Sequence, residues 1–150
     1  MASRRTGESV DILLVEDNPG DVRLTQEAFA ELDLEDALYV VNDGETALDF
    51  VNQRGAHEDA PRPDLVLLDL NLPKIDGMTV LDEIKTDPEL RRIPVVVLTG
   101  SGAQEDIVES YDRHSNAYLT KPIDPEEFVD LVGSFEDFWL SLVELPPSNQ

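Results

Sequence analysis

The sequence predicts a doubly wound α/β domain, with five parallel strands in one sheet and helices on both faces. Three observations carry this expectation. Short apolar runs alternate with segments of helical period, the pattern of repeated βα units. The runs are continuous rather than alternating, as in strands buried on both faces. The chain has 150 residues, the size of one ordinary domain, and its 41% hydrophobic content is enough for one core.

The elements follow in order. Ile12-Leu13-Leu14-Val15 centres a first strand over residues 11–16. After Pro19-Gly20, a helix over residues 21–32 places Val22, Phe29 and Leu32 near one face. Residues 37–41 read as a second strand, and Asn42-Asp43-Gly44 is turn chemistry. The next helix has Ala47, Leu48, Phe50 and Val51 as its apolar side, and residues 53–63 form a long loop ending in Pro61-Arg62-Pro63. Leu65-Val66-Leu67-Leu68-Asp69 is the third strand. A helix starting near Gly77 shows Met78, Leu81 and Ile84 at helical spacing, and Asp87-Pro88 breaks it. The fourth strand covers residues 95–99, a helix residues 104–111, and the fifth strand residues 117–119. The last helix opens at Asp124-Pro125 with an N-cap, a proline at the first helical position and acids in the first turn. Phe128, Leu131, Val132, Phe135, Trp139 and Leu142 recur along it, and Pro146-Pro147 ends it.

Charge and cysteine content exclude several functions. There are 33 acids against 11 bases, a net charge of −22, which repels phosphate backbones and argues against direct nucleic-acid binding. The acids are dispersed through nearly every polar segment, which favours adaptation to high salt over a single patch. No cysteine is present, so disulfides and thiolate metal sites are excluded. No secretory signal and no membrane-length apolar run appears, so a cytoplasmic protein with no membrane association is expected. His57 and His114 lie in polar surroundings and read as surface residues.

The strand ends carry the chemistry. The first run ends in Glu16-Asp17, the third in Asp69, the fourth in Thr99, and the fifth in Thr120-Lys121-Pro122. In doubly wound sheets, ligands bind outside the carboxyl ends of the strands, so these side chains are expected to converge. Three close carboxylates repel unless a cation joins them. All-oxygen donors suit Mg²⁺. Lys121 offers a point charge and Thr99 a hydroxyl for phosphoryl oxygens. Asp69 can then serve as a nucleophile that forms an aspartyl phosphate.

Val15-Glu16-Asp17-Asn18, Leu68-Asp69-Leu70-Asn71-Leu72-Pro73, Asp76-Gly77, Leu98-Thr99 and Thr120-Lys121-Pro122 stand in the order and rough spacing of a receiver domain of two-component response regulators. The chain resembles that family over nearly its whole length. Asn18-Pro19-Gly20-Asp21, Pro61-Arg62-Pro63-Asp64 and Asp106-Ile107 with Ser110-Tyr111 make it most similar to stand-alone receivers that pair with phytochrome-type sensor histidine kinases.

The resemblance implies a flavodoxin-like (βα)5 fold over residues 11–143, between a disordered tail at 1–10 and a tail at 144–150. It implies Asp69 as phosphoacceptor, with Thr99 and Lys121 completing the reactive set. Asp17, Asp69 and the backbone carbonyl of Asn71 would hold Mg²⁺ directly, and Glu16 through water. Thr99 and Tyr118 would be switch residues, Asn71 and Ser101 would tune phosphoryl lifetime, and the Lys121–Pro122 bond would be cis. Gly100, where a slightly larger residue is common, would leave the site more open. A sensor histidine kinase is the implied donor and an unknown downstream protein the listener. The aromatic terminal helix, with Phe138 off the stripe of Phe135 and Trp139, points to a homodimer surface.

Two other readings compete. A haloacid-dehalogenase-type phosphohydrolase also uses an Asp nucleophile, Mg²⁺, Thr and Lys, but it needs an acid where this chain has Asn71, and a cap domain. A pseudo-receiver would bind partners without phosphate, and the complete acid set argues against it. The expected protein is a phosphoacceptor signalling domain, not a metabolic enzyme, with only self-phosphorylation and self-dephosphorylation.

Overall fold

The computed structural model describes residues 10–70, 72, 75–100 and 117–132. Its elements run β1 (Ile12–Val15), α1 (Pro19–Glu31), β2 (Leu38–Val41), α2 (Gly44–Asn52), β3 (Leu65–Asp69), α3 (Gly77–Thr86), β4 (Val95–Thr99), β5 (Ala117–Thr120) and α4 (Pro125–Val132). All neighbouring strands pair in parallel, in the order β2-β1-β3-β4-β5. The expected helix over 104–111, the chain beyond 132, the N-terminal tail, Asn71, Ser101 and His114 lie outside the described residues.

The unbroken apolar runs are buried on both faces, as their composition requires. Leu13, Val15, Val66, Leu68, Val95 and Val97 pack in one cluster with residues of α2 and α3. Ile12, Leu14, Leu65, Leu67, Val96 and Leu98 pack in a second cluster with residues of α1 and α4. The period-2 alternation of a strand thus sends neighbouring residues into separate cores. Phe29 of α1 meets Phe128 of α4 with ring centroids 4.8 Å apart, and both side chains are fully buried.

Several boundaries move from the sequence expectation, each for a local reason. Helix α1 begins at Pro19 rather than residue 21, because the Asn18 side chain accepts hydrogen bonds from the Gly20 and Asp21 N–H groups and proline occupies the first turn. Ala37 belongs to a 3-10 turn, Glu35–Ala37, and not to the second strand. Strand β5 extends to Thr120, which pairs with Thr99. The long loop after α2 contains a 3-10 turn at Gly55–His57 and is tied across by Gln53, whose Nε2 donates to the Ala60 carbonyl at 2.7 Å. His57 is half-buried, its ring 5.4 Å from that of Phe50, so it packs rather than standing free on the surface.

One glycine fixes where β3 ends. A Cβ on Gly77 would fall 2.5 Å from the Asp69 carbonyl oxygen and 2.7 Å from the Leu70 Cα. The Gly77 N–H also donates to the Leu70 carbonyl at 3.2 Å, so the start of α3 is pressed against the strand end that carries Asp69. Gly77→Ala is expected to cost about 1–3 kcal/mol through this backbone overlap. A guanidinium unfolding curve should show a lower midpoint at unchanged slope.

Candidate functional site

Strand register gathers the side chains. Val15 pairs with Leu68, so the residues that follow, Glu16 and Asp69, lie side by side at the ends of β1 and β3. Asp69 pairs with Leu98, and Thr99 with Thr120, which brings Thr99 and Lys121 to the same edge. The Lys121 N–H donates to the Thr99 carbonyl at 2.8 Å, and the Lys121–Pro122 bond is cis.

Alternation divides these residues between the faces. Glu16 shares the parity of Ile12 and Leu14, and Asp69 that of Leu65 and Leu67, so both lie toward α1. Thr99 takes the parity of Val95 and Val97, and half-buried Tyr118 packs against the α2/α3 cluster. Glu16, Asp69 and Thr99 are buried at 1%, 2% and 0% exposure. Asp17, one residue past the strand, is exposed.

Carboxylate oxygens of Glu16, Asp17 and Asp69 lie within 4.8 Å of one another, a set able to hold a hard divalent cation. Lys121 closes the cluster from the β5 side. Its Nζ is 3.1 Å from Glu16 Oε1, 2.9 Å from Asp21 Oδ2 and 3.5 Å from Asp69 Oδ1. Burial works to lower the Lys121 pKa, but the hydrogen bond to Asp21 and the charges of Asp69 and Glu16 outweigh it and push it up. Burial, reinforced by the Asp69 charge, raises the Glu16 carboxyl to about 7, against the opposing pull of the Asn18 N–H and Lys121. The Thr99 hydroxyl lies 3.5 Å from the Leu119 carbonyl, the outer limit of a hydrogen bond.

The backbone around Glu16 is held from two sides. Its N–H donates to the Val41 carbonyl at 3.0 Å, and its carbonyl accepts from Asn42 Nδ2 at 3.0 Å. The Asn18 N–H donates to Glu16 Oε2 at 3.2 Å. The structure therefore brings together Glu16, Asp17, Asp69, Thr99 and Lys121. Tyr118 lies on the α2/α3 side of β5, the face away from Glu16 and Asp69, and Asn71 and Ser101 are outside the described residues. Sequence spacing misses Asp21 and Asn42. Asp21 follows the Asn18 cap by three residues, a signal that reads as helix capping, and nothing local points to a lysine 100 residues away.

Comparison with known proteins names this arrangement. The family model described as the response regulator receiver domain matches residues 12–133. The chain belongs to the response regulator receiver domain family. Response regulator Rcp1 of Synechocystis sp. is 49% identical over 135 residues, covering 90% of this chain and 92% of Rcp1. The crystal structure of the phosphorylated cyanobacterial phytochrome response regulator RcpA superposes with a TM-score of 0.70 at 50% identity, covering 89% of this chain and 95% of RcpA. The Mn²⁺-bound form of Rcp1 gives a TM-score of 0.67 at 48% identity, covering 87% of this chain and 94% of that structure. A receiver domain is a signalling module of two-component systems that works with sensor histidine kinases, and not an enzyme of metabolism. The hydrolase reading is thereby set aside. Among the described residues, no helix is long and apolar enough to cross a membrane.

The raised Glu16 pKa fixes the sign of a pH effect. The folded state binds its proton more tightly than the unfolded chain, so this contribution is full below the ordinary value of 4.5 and is lost as pH rises through about 7. With divalent metal chelated, urea midpoints should fall over that window in the parent. The fall should be smaller in Glu16→Gln, and a parallel fall in both proteins would contradict the assignment.

Proposed function

We propose that this chain is a single-domain response regulator whose Asp69 accepts a phosphoryl group from the phosphohistidine of a phytochrome-type sensor histidine kinase. The observation that carries the reading is the buried pair Glu16 and Asp69 held against Lys121, with Asp17 completing an oxygen cluster within 4.8 Å. Burial first, and the Asp69 charge second, lift the Glu16 carboxyl despite Lys121, and a divalent cation among these oxygens would favour its ionised form. Asp17, Asp69 and the Asn71 backbone carbonyl would hold Mg²⁺, with Glu16 bound through water. Bound there, Mg²⁺ would neutralise charge on the transferring group.

In this reading an Asp69 oxygen attacks phosphorus as the bond to the histidine nitrogen breaks, and the released imidazole takes a proton from solvent. Lys121 pairs with the phosphoryl oxygens. The Thr99 hydroxyl leaves its long approach to Leu119 and turns to the phosphoryl group, and Tyr118 follows it inward. Asn71 and Ser101 tune the lifetime of the phosphoryl group. The exposed Gly100 leaves the approach open. The signal passes to a downstream protein in the cytoplasm, without direct nucleic-acid contact, and a homodimer forms through the C-terminal helix.

Incubation with Mg²⁺ and acetyl phosphate tests the reading. An acid-stable, base-labile adduct is expected in the parent and not in Asp69→Asn. Multiple turnover of phosphate esters would restore the hydrolase reading, and absence of any adduct would favour a pseudo-receiver.

The dispersed net charge of −22 supports a halophilic setting. Thermal stability should rise from dilute buffer to about 1 M KCl, where the screening length is about 3 Å. Full cooperative stability in dilute buffer would sink this idea. Molar mass at high salt, with and without beryllofluoride, tests the dimer, which a strictly monomeric mass would rule out.

A further inference from the structure

Asp21 stands apart from the acids at the strand ends. It lies in the first turn of α1, three residues after the cap Asn18. An acid there ordinarily turns back to the N–H of the cap residue. Here that N–H is already taken by Glu16 Oε2 at 3.2 Å. The Asp21 carboxylate instead reaches β5, where its Oδ2 is 2.9 Å from Lys121 Nζ.

That contact is the shortest of the three carboxylate contacts Lys121 makes. Glu16 stands at 3.1 Å and Asp69, the proposed acceptor, at 3.5 Å. Exposure orders them as well. The Asp21 side chain is 32% exposed, against 1% for Glu16 and 3% for Asp69. Asp21 therefore draws the ammonium toward the rim of the site and away from the buried acceptor. An ammonium has three N–H donors; here it donates to Asp21 and Glu16 and stands in ion-pair range of Asp69. Moving inward to a phosphoryl oxygen on Asp69 draws the ammonium away from Asp21. The half-exposed partner on the helix is the one whose loss leaves no fully buried charge unpaired.

From this geometry we infer that Asp21 is a positioning residue for phosphoryl transfer, holding Lys121 at the rim and competing with the phosphoryl group for its ammonium. The inference rests on the reading of Asp69 as acceptor and Lys121 as its phosphoryl partner. It adds a residue on α1 that sets how far the equilibrium lies toward the phosphorylated form.

The test is beryllofluoride binding to the full chain with excess Mg²⁺, followed by fluorine NMR at about 1 M KCl, where remote charge effects are screened. Asp21→Asn keeps the side-chain shape and removes the charge. It should lower the half-saturating beryllofluoride concentration by up to about fivefold, the scale of a partly exposed ion pair released. Asp21→Ser should do the same, which guards against a folding defect peculiar to one variant. Asp21→Glu keeps the charge and should restore near-parental binding. Glu27→Gln removes an exposed carboxylate from the same helix and should change nothing. Equal effects of Asp21→Asn and Glu27→Gln, or weaker binding in Asp21→Asn, would overturn the inference. Absence of a complex in the parent would overturn the proposed function and this inference together, whereas a complex in the parent that the Asp21 variants leave unaltered defeats the inference alone.

Discussion

Two carboxylates buried side by side, Glu16 and Asp69, are the constraint around which the rest of the site is built. Each sits at the end of a strand with almost no access to water. Desolvation, reinforced by the Asp69 charge, opposes ionisation of Glu16, and its lifted carboxyl registers the cost. An ammonium from a third strand offsets part of it. The pairing is tolerable because it is supported by further partners: the Asn18 N–H on Glu16, and Asp21 on the far side of Lys121.

The fold supplies the positions at which such a cluster can exist. In the order β2-β1-β3-β4-β5, β1 and β3 lie at the point where the chain's winding reverses, with α1 on one face and α2 and α3 on the other. The crevice beyond their carboxyl ends is where doubly wound sheets bind ligands. Alternation along parallel strands then sorts the functional side chains. Glu16, Asp69 and Lys121 collect toward α1, and Thr99 and Tyr118 take the parity of the α2/α3 core. A switch that moves Thr99 and Tyr118 would therefore couple charge on one face to packing on the other.

Small local devices hold this edge in place. Gly77 allows α3 to start against the Asp69 backbone. Asn42, in the turn after β2, accepts no role in the chemistry but anchors the Glu16 carbonyl. The hydrogen bond from the Lys121 N–H to Thr99, beside the cis bond to Pro122, sets where the lysine leaves β5.

Much of this was legible in the residues alone. Strands buried on both faces must be apolar throughout, so the runs of β1, β3 and β4, with the polar endings of these strands and of β5, announced both the parallel sheet and the edge where Glu16, Asp17, Asp69, Thr99 and Lys121 meet. Boundaries were less legible, because they depend on hydrogen bonds a residue or two away: Asn18 starts α1 early, and Ala37 joins a 3-10 turn. The His57 contact with Phe50 depended on how a loop folded back. Asp21 was the clearest case. Its sequence neighbourhood describes a helix cap, and only the packing of α1 beside β5 turns its carboxylate to Lys121. Burial pattern and strand-end chemistry are written in local order, whereas the partner of a charged side chain is decided by which distant element the core brings beside it.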